Sequence, residues 1–234
     1  MVEAIVIVQA RMASTRLPGK VMARLGPHTL LAHCVRRLQA AQAGPVVVAT
    51  TTNADDDEVE AEAGRLGCLA VRGPVDDVLT RFVMASDACP SRWLVRATAD
   101  NPALDIDSPG RLLRALGESG AEYGVESGHP VGAAVEVIAT STLRRVAAVA
   151  TDPYDREHVT PYVYRHEDAF RVIRPEVPAA VRRSDLRLTI DTPADLAFMR
   201  RVLERADAGD GTAPLSAVIA AADAVLREMS GDST

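Results

Sequence analysis

The stretch IVQARMASTRLPGKV, residues 7–21, gathers side chains whose types and spacing could do chemistry. It leaves a short apolar run at residues 4–8 and becomes a loop with Arg11, Arg16 and Lys20, the hydroxyls of Ser14 and Thr15, and a Pro18-Gly19 break. Three cations on a loop that follows a strand are suited to hold an anion, because open α/β sheets bind phosphorylated ligands where strand ends meet helix starts. Cations on a loop also serve as solvated surface charge, and spacing does not separate the two readings. The stretch is not a Walker P-loop: Gly19-Lys20 is followed by Val21 rather than Ser or Thr, and Ser14 stands where that motif has its first glycine.

Two carboxylates stand at comparable places further on. Asp100 follows an apolar strand at residues 93–97, and Asp191 closes the alternating run at residues 186–191. Thr192, Pro193 and Asp195 read as a helix N-cap, a first-turn proline and a capping acid, which explains Asp195 and leaves Asp191 without a structural role. As strand-end carboxylates, Asp100 and Asp191 could converge on one cation; within Asp-Asn-Pro, Asp100 also suits a turn. The run Asp55-Asp56-Asp57 reads as an acidic helix N-terminus rather than a metal site. The segment DREHVTPYVYR, residues 155–165, holds Arg156, Glu157, His158, Tyr162 and Tyr164, a contact surface or equally a set of core and interface groups.

The elements that must position these groups follow from periodicity. Leu30, Leu31, Cys34, Val35 and Leu38 recur at helical spacing and predict a helix over 28–41. Residues 46–50 form a wholly apolar run ending in hydroxyls, as a buried parallel strand does. Asp55 with Glu58 predicts the start of a second helix, residues 68–71 a third strand, and Asp76 the cap of the helix through Phe82. Residues 106–117, with Pro109 in the first turn, complete a strand and helix alternation that implies a mainly parallel sheet flanked by helices. From residue 122 glycines and a proline interrupt the pattern, and the alternating segment 134–138 reads as an antiparallel or edge element. A helix over 140–150, strands at 170–174 and 186–191, and a last helix over 214–228 follow.

With 47% apolar and only 3% aromatic residues, the core must rest on Ala, Val and Leu. A net charge of -6 argues against a general nucleic-acid binder. Cys34, Cys68 and Cys89 are widely spaced and form no CxxC pair, so buried thiols are expected rather than zinc. The opening residues carry neither a basic region nor a long apolar segment, so neither a leader nor a membrane span is expected, and the expected location is cytoplasmic.

Six motifs in register give these parts a common meaning: QARMASTRLPGK (9–20), ATTTNADDD (49–57), RGPVDDVLTR (72–81), RATADNP (96–102), DPYDREHVTPYVYR (152–165) and LTIDTPADL (188–196). Together they resemble the SpsF-like cytidylyltransferases of spore-coat polysaccharide biosynthesis, relatives of the 3-deoxy-manno-octulosonate and acylneuraminate cytidylyltransferases. The resemblance implies a nucleotide-diphospho-sugar-transferase-like α/β fold with a small mixed subregion for acceptor binding and dimerisation. Residues 1–205 would form one nucleotidyltransferase domain with the acceptor subregion at about 122–170, residues 206–213 a linker, and residues 214–234 a C-terminal helix and tail. It implies a Mg²⁺-dependent transfer of CMP from CTP to a small anionic acceptor, with no nucleic-acid or membrane partner; the late helix and the Tyr162 region offer a contact surface for a homodimer.

Residue by residue, the same resemblance places Gln9, Ala10 and Thr50 on the cytidine and Arg11, Arg16 and Lys20 on the triphosphate. Arg72, Asp76 and Arg81 lie in the segment that closes over the nucleotide, Asp100 and Asp191 match metal ligands, and Glu136, Arg156, His158 and Tyr162 fall in the acceptor region. Arg11, Lys20 and Asp100 would carry the chemistry: attack on the α-phosphorus builds negative charge, so such a site needs fixed cations more than an acid and base pair. The chain departs from the family where relatives read GLDVEVF, since the acidic position is Ala134. If that acid contacts the acceptor, this acceptor differs; if it supports the metal, turnover is lost and a nucleotide-binding relative remains. A glycosyltransferase on the same fold is the other alternative, with Asp105-Ile106-Asp107 as its DxD string against a competing role as a helix start.

Overall fold

In β1 (Val2–Gln9) successive side chains point to opposite faces, and both faces are apolar. Ala4, Val6 and Val8 join one core cluster, Ile5 and Ile7 another. Burying each of these larger side chains contributes roughly 1.5–3 kcal/mol, so the strand is stable only with cover on both sides. The computed structural model, which describes residues 2–206 and 212–231, puts β1 inside a seven-stranded sheet, between β4 and β6.

In chain order, a small antiparallel hairpin of β2 (Arg24–Leu25) and β3 (His28–Thr29) leads into α1 (Leu30–Ala40), capped by the Thr29 hydroxyl accepting from the Ala32 N–H. Then come β4 (Val46–Thr51), α2 (Asp57–Arg65), β5 (Leu69–Gly73), α3 (Val78–Ala88) and β6 (Ser91–Thr98). The second half holds α4 (Ser108–Ser119), β7 (Tyr123–Val125), β8 (Glu136–Ala139), α5 (Thr140–Val149), α6 (Pro153–His158), α7 (Pro161–Arg165) and β9 (Val172–Ile173). It closes with α8 (Pro193–Arg205) and α9 (Leu215–Ser230).

The sheet order is β5-β4-β1-β6-β8-β7-β9. The strands β5, β4, β1 and β6 are parallel, β8 runs antiparallel between β6 and β7, and β9 returns parallel to β7. The chain moves outward from β1 through β4 to β5 and then crosses back to place β6 on the other side of β1. The order therefore reverses between β1 and β6, and in open α/β sheets the crevice beyond the carboxyl ends of such strands receives ligands. Among the described residues no helix is long and apolar enough to cross a membrane.

Several local expectations are corrected. Asp77, not Asp76, caps α3, accepting from the Thr80 N–H at 2.9 Å. No side chain caps α2; a 3-10 turn at Ala54–Asp56 leads into it and turns Asp56 inward. The segment 134–138 contributes β8, which is antiparallel as expected but interior rather than an edge. Residues 186–191 are not a strand. They touch the 126–133 loop through one isolated bridge, Val131 with Arg187, and then bond the Ile190 N–H to the Asp100 carbonyl at 2.8 Å. Pairing stops because the partner chain turns at Gly132, whose φ of 92° and close approach to Thr189 leave no room for a Cβ. The alternation was real: Leu186, Leu188 and Ile190 are buried in a third cluster with Met199, Leu203, Val218 and Ala222 of α8 and α9. Of the expected linker, residues 207–211 lie outside the described residues, as do residues 232–234 of the tail.

Candidate active site

A cleft of about 170 Å³ opens at the carboxyl ends of β1 and β6. Gln9, Ala10 and Arg11 come from one strand end, Thr98, Ala99 and Asp100 from the other, Val78 and Arg81 from α3, Lys20 and Val21 from the Pro-Gly loop, and Glu157 and His158 from α6. The loop is held to the sheet by Asp56, only 2% exposed, which accepts from the Met12 N–H at 2.6 Å and from the Thr51 hydroxyl. This is what the acidic run at 55–57 contributes: an anchor between the ends of β1 and β4.

Lys20 sits at the centre of the charge arrangement. Its ammonium donates to Asp100 Oδ2 at 2.9 Å, Asp191 Oδ1 at 3.0 Å and the Ile190 carbonyl at 2.9 Å. Asp100 Oδ1 accepts from the Thr98 hydroxyl at 2.6 Å. Asp191 also meets Arg16 at 2.9 Å and Arg187. The capping box of α8 aims Asp191, because Asp195 Oδ2 accepts from the N–H groups of both Asp191 and Thr192. Burial raises the Asp191 carboxyl, but Lys20, Arg16 and Arg187 outweigh burial and hold it below the ordinary carboxylate range. Two carboxylates and a backbone carbonyl thus surround one point with hard oxygen donors, the kind of ligand that Mg²⁺ takes.

On the facing wall Glu157 meets Arg11 at 3.4 Å. Glu157 and His158 are aimed there by a γ-turn. Val159 has φ 72° and ψ −52°, and the Thr160 N–H donates to the His158 carbonyl at 2.9 Å. Positive φ is unfavourable for a β-branched residue and costs on the order of 1–3 kcal/mol. Burial of the Val159 side chain and the bond from the Thr160 hydroxyl to Glu136 hold the turn in place.

The sequence pattern of the cytidylyltransferase family matches residues 5–213. The spore coat polysaccharide biosynthesis protein SpsF of Bacillus subtilis is 34% identical over 206 residues, covering 86% of each chain. The chain belongs to the cytidylyltransferase family. A 3-deoxy-manno-octulosonate cytidylyltransferase of Rhodopseudomonas palustris is 29% identical over an alignment that covers 85% of this chain and 97% of the relative. A solved cytidylyltransferase from Leptospira borgpetersenii superposes with a TM-score of 0.86 at 27% identity, covering 98% of this chain and 96% of that one.

Within this cytidylyltransferase fold the residues expected at the site divide into two groups. Gln9, Ala10, Arg11, Lys20, Arg81, Asp100 and His158 line the cleft, with Arg16 and Asp191 joined to it through ion pairs. Arg81 is 2% exposed; it donates to the Pro74 and Val75 carbonyls, while its Nε has no partner. The remaining expected residues stand elsewhere. Thr50 is fully buried in β4, Asp76 is exposed beside the α3 cap, and Arg72 is spent on the Thr51 and Asn53 carbonyls and on Asp57 and Glu60. Arg156 bonds Asp77, Thr80 and the Ala150 carbonyl, and Tyr162 stacks on His166 with ring centroids 4.1 Å apart.

Glu136 lies opposite Arg96 across β6 and β8 and pairs with it at 2.6 Å, while its other oxygen accepts from Tyr123 at 2.7 Å and Thr160 at 3.1 Å. Arg96 reaches on to Gln9 Oε1 at 3.4 Å, so this half-buried network supports the strand ends from behind. Ala134 does not line the cleft. Sequence reasoning assigned no site role to Thr98 or Arg96, and placed Glu157 only within the 155–165 contact segment. Glu157 adjoins His158 in a quoted motif, which was the available signal; nothing in the spacing marked Arg96, because its partners come from distant strands.

The DxD string does not line the cleft. Asp105 is 3% exposed and meets Arg111 at 2.6 Å and His129 at 3.1 Å. Arg111 also grips Glu126 with two bonds, at 2.6 and 2.7 Å. Asp105, Glu126 and His129 have the spacing of a metal site, with ligand atoms within 4.8 Å of one another, but the Arg111 guanidinium already supplies their cation. Burial raises the Asp105 carboxyl, and His129 and Arg111 together outweigh it, lowering it to about 2.

Proposed function

We propose that this family member transfers CMP from CTP to a small anionic acceptor and releases pyrophosphate. The observation that carries the reading is the convergence of Arg11 and Lys20 with Asp100 and Asp191 at the strand-order reversal, in a chain of the cytidylyltransferase family. Arg11, Arg16 and Lys20 would bind the phosphates, Arg being suited to two-bond contact with phosphate oxygens. Asp100 and Asp191 would hold Mg²⁺, which when bound supplies positive charge at the phosphate oxygens. Gln9 and Ala10 would meet the cytidine, and the buried, incompletely bonded Arg81 would face the nucleotide from α3.

The acceptor would approach from the α6 wall. His158 and Glu157 line it, whereas Arg156 and Tyr162 are committed to packing. An acceptor oxygen that is already anionic attacks the α-phosphorus without a general base, so His158 acts in binding. The names of the relatives favour a sugar acid among the candidate anionic acceptors, the others being a phosphorylated sugar or polyol and a phosphonate. Cytoplasmic location and a role in polysaccharide biosynthesis belong to the same reading.

The test is pyrophosphate release with each of the four nucleoside triphosphates, Mg²⁺ and a panel of such acceptors. Release is expected with CTP, falling on the order of 10²-fold or more in Asp100→Asn and Asp191→Asn with circular dichroism unchanged. Tight CTP binding with no release from any pair would sink the enzyme reading; wild-type rates in both variants would remove these carboxylates from the reaction.

A further inference from the structure

Lysine and arginine together number 26 in this chain, and Lys20 is the only lysine among them. Its charged group is enclosed by three oxygens, with the side chain 12% exposed. An ammonium has three protons, and all three are spent there, on Asp100, Asp191 and the Ile190 carbonyl. The chemistry explains why the position does not take one of the many arginines. An ammonium is a compact point charge like a small metal ion, whereas a guanidinium is a planar fork.

The surrounding oxygens are equally committed. The second oxygen of Asp100 accepts from Thr98, and Asp191 is further neutralised by Arg16 and Arg187. A divalent ion at this point would need the same oxygens and would be repelled by the ammonium. Conversely, Lys20 seated here has no proton left for a phosphate. The two cations are therefore alternative occupants, and a change of occupant is required before Lys20 can serve the triphosphate.

We propose that Lys20 is the built-in occupant of this cation position, excluding free divalent ions from the nucleotide-free protein. The phosphates of an arriving nucleotide draw it off, so that metal enters with the nucleotide rather than before it. The second half rests on the CTP reading above; the first half does not, because it concerns Mg²⁺ and this chain alone.

Both halves have a readout other than turnover. Labelling with 15N-lysine gives one side-chain ammonium signal, from Lys20. Millimolar Mg²⁺ alone is expected to leave that signal in place, and CTP with Mg²⁺ to shift it. In calorimetry with Mg²⁺ alone, Lys20→Met is expected to bind the ion at least on the order of tenfold more tightly than wild type. Adding Asp100→Asn and Asp191→Asn should abolish that gain.

Mg²⁺ alone shifting the lysine signal, or a folded Lys20→Met that gains no Mg²⁺ affinity, overturns the exclusion. A CTP complex that forms with the signal unmoved overturns the exchange. Failure of CTP to bind at all counts against the CTP reading instead, and the Mg²⁺ titration still decides the occupancy. Should Lys20→Met not fold, the wild-type signal decides it.

Discussion

At the scale of single residues, charge in this molecule is handled by two clusters that resemble each other and do different work. Asp105, Glu126 and His129 are nearly closed off from solvent, and the partly exposed Arg111 pairs with both carboxylates while His129 meets Asp105. Asp100, Asp191 and Lys20 are bonded too, but Asp100 and Lys20 line an open cleft, to which Asp191 is joined through Lys20. The closed cluster is a stability device, and its pH dependence has a definite sign. With its native pKa lowered to about 2, below an unfolded value near 3.9, Asp105 contributes stability that is full above about pH 5 and is lost as pH falls toward 2. At about 1.4 kcal/mol per pKa unit the contribution is on the order of 2 kcal/mol. Urea unfolding of Asp105→Asn should therefore show a deficit of about that size at pH 7, narrowing steadily below pH 5. A deficit that stays constant down to pH 2 would refute this assignment.

At the scale of elements, the cleft depends on segments that are barely regular. Asp191 is carried by an extended run held to the sheet through the Val131 bridge, the Ile190 bond to Asp100 and the α8 capping box. Gly132 is the tight point, since an added Cβ would lie 2.7 Å from the Thr189 nitrogen. Backbone cannot yield as the end of a flexible side chain can. Gly132→Ala is expected to cost about 1–3 kcal/mol of stability, from overpacking and from its positive φ, and to lower turnover by displacing Asp191. Thermal unfolding and the pyrophosphate assay would measure the two effects, and a variant normal in both would show that this contact does not position the carboxylate. The γ-turn at Val159 has a similar standing on the opposite wall, where local strain sets the direction of Glu157 and His158.

At the scale of the whole molecule, the sheet has a parallel half that supplies the cleft and a mixed half, and α6 bridges them, bonded to α3 through Arg156 and to β8 through the adjoining Thr160. The mixed half also bears Val131, Val149, Tyr154 and Tyr164 among the exposed large apolar residues. A homodimer joined through this region would cover them, in keeping with the reading of the sequence. Sedimentation at micromolar concentration is expected to give about twice the 24.9 kDa chain mass. A single species at the chain mass would reject the dimer.

Much of this was legible from local pattern. The parallel strands, the helices between them, the capping box at Thr192 and Asp195 and the cation-bearing loop all follow from periodicity, capping chemistry and turn residues, which act over a few positions of chain. So does the candidacy of Asp100 and Asp191 as strand-end carboxylates, although a turn role also suited Asp100 and only Asp191 was required by no local rule. Tertiary structure alone decided which cation meets which carboxylate. Lys20 lies 80 residues from Asp100 and 171 from Asp191, and only the strand-order reversal brings the three together. It also decided that Arg72, Arg156 and Glu136, similar in type to the cleft residues, are consumed by partners distant in sequence. A charged side chain takes its role from the groups that surround it after folding, and those groups are set by the packing of the whole sheet.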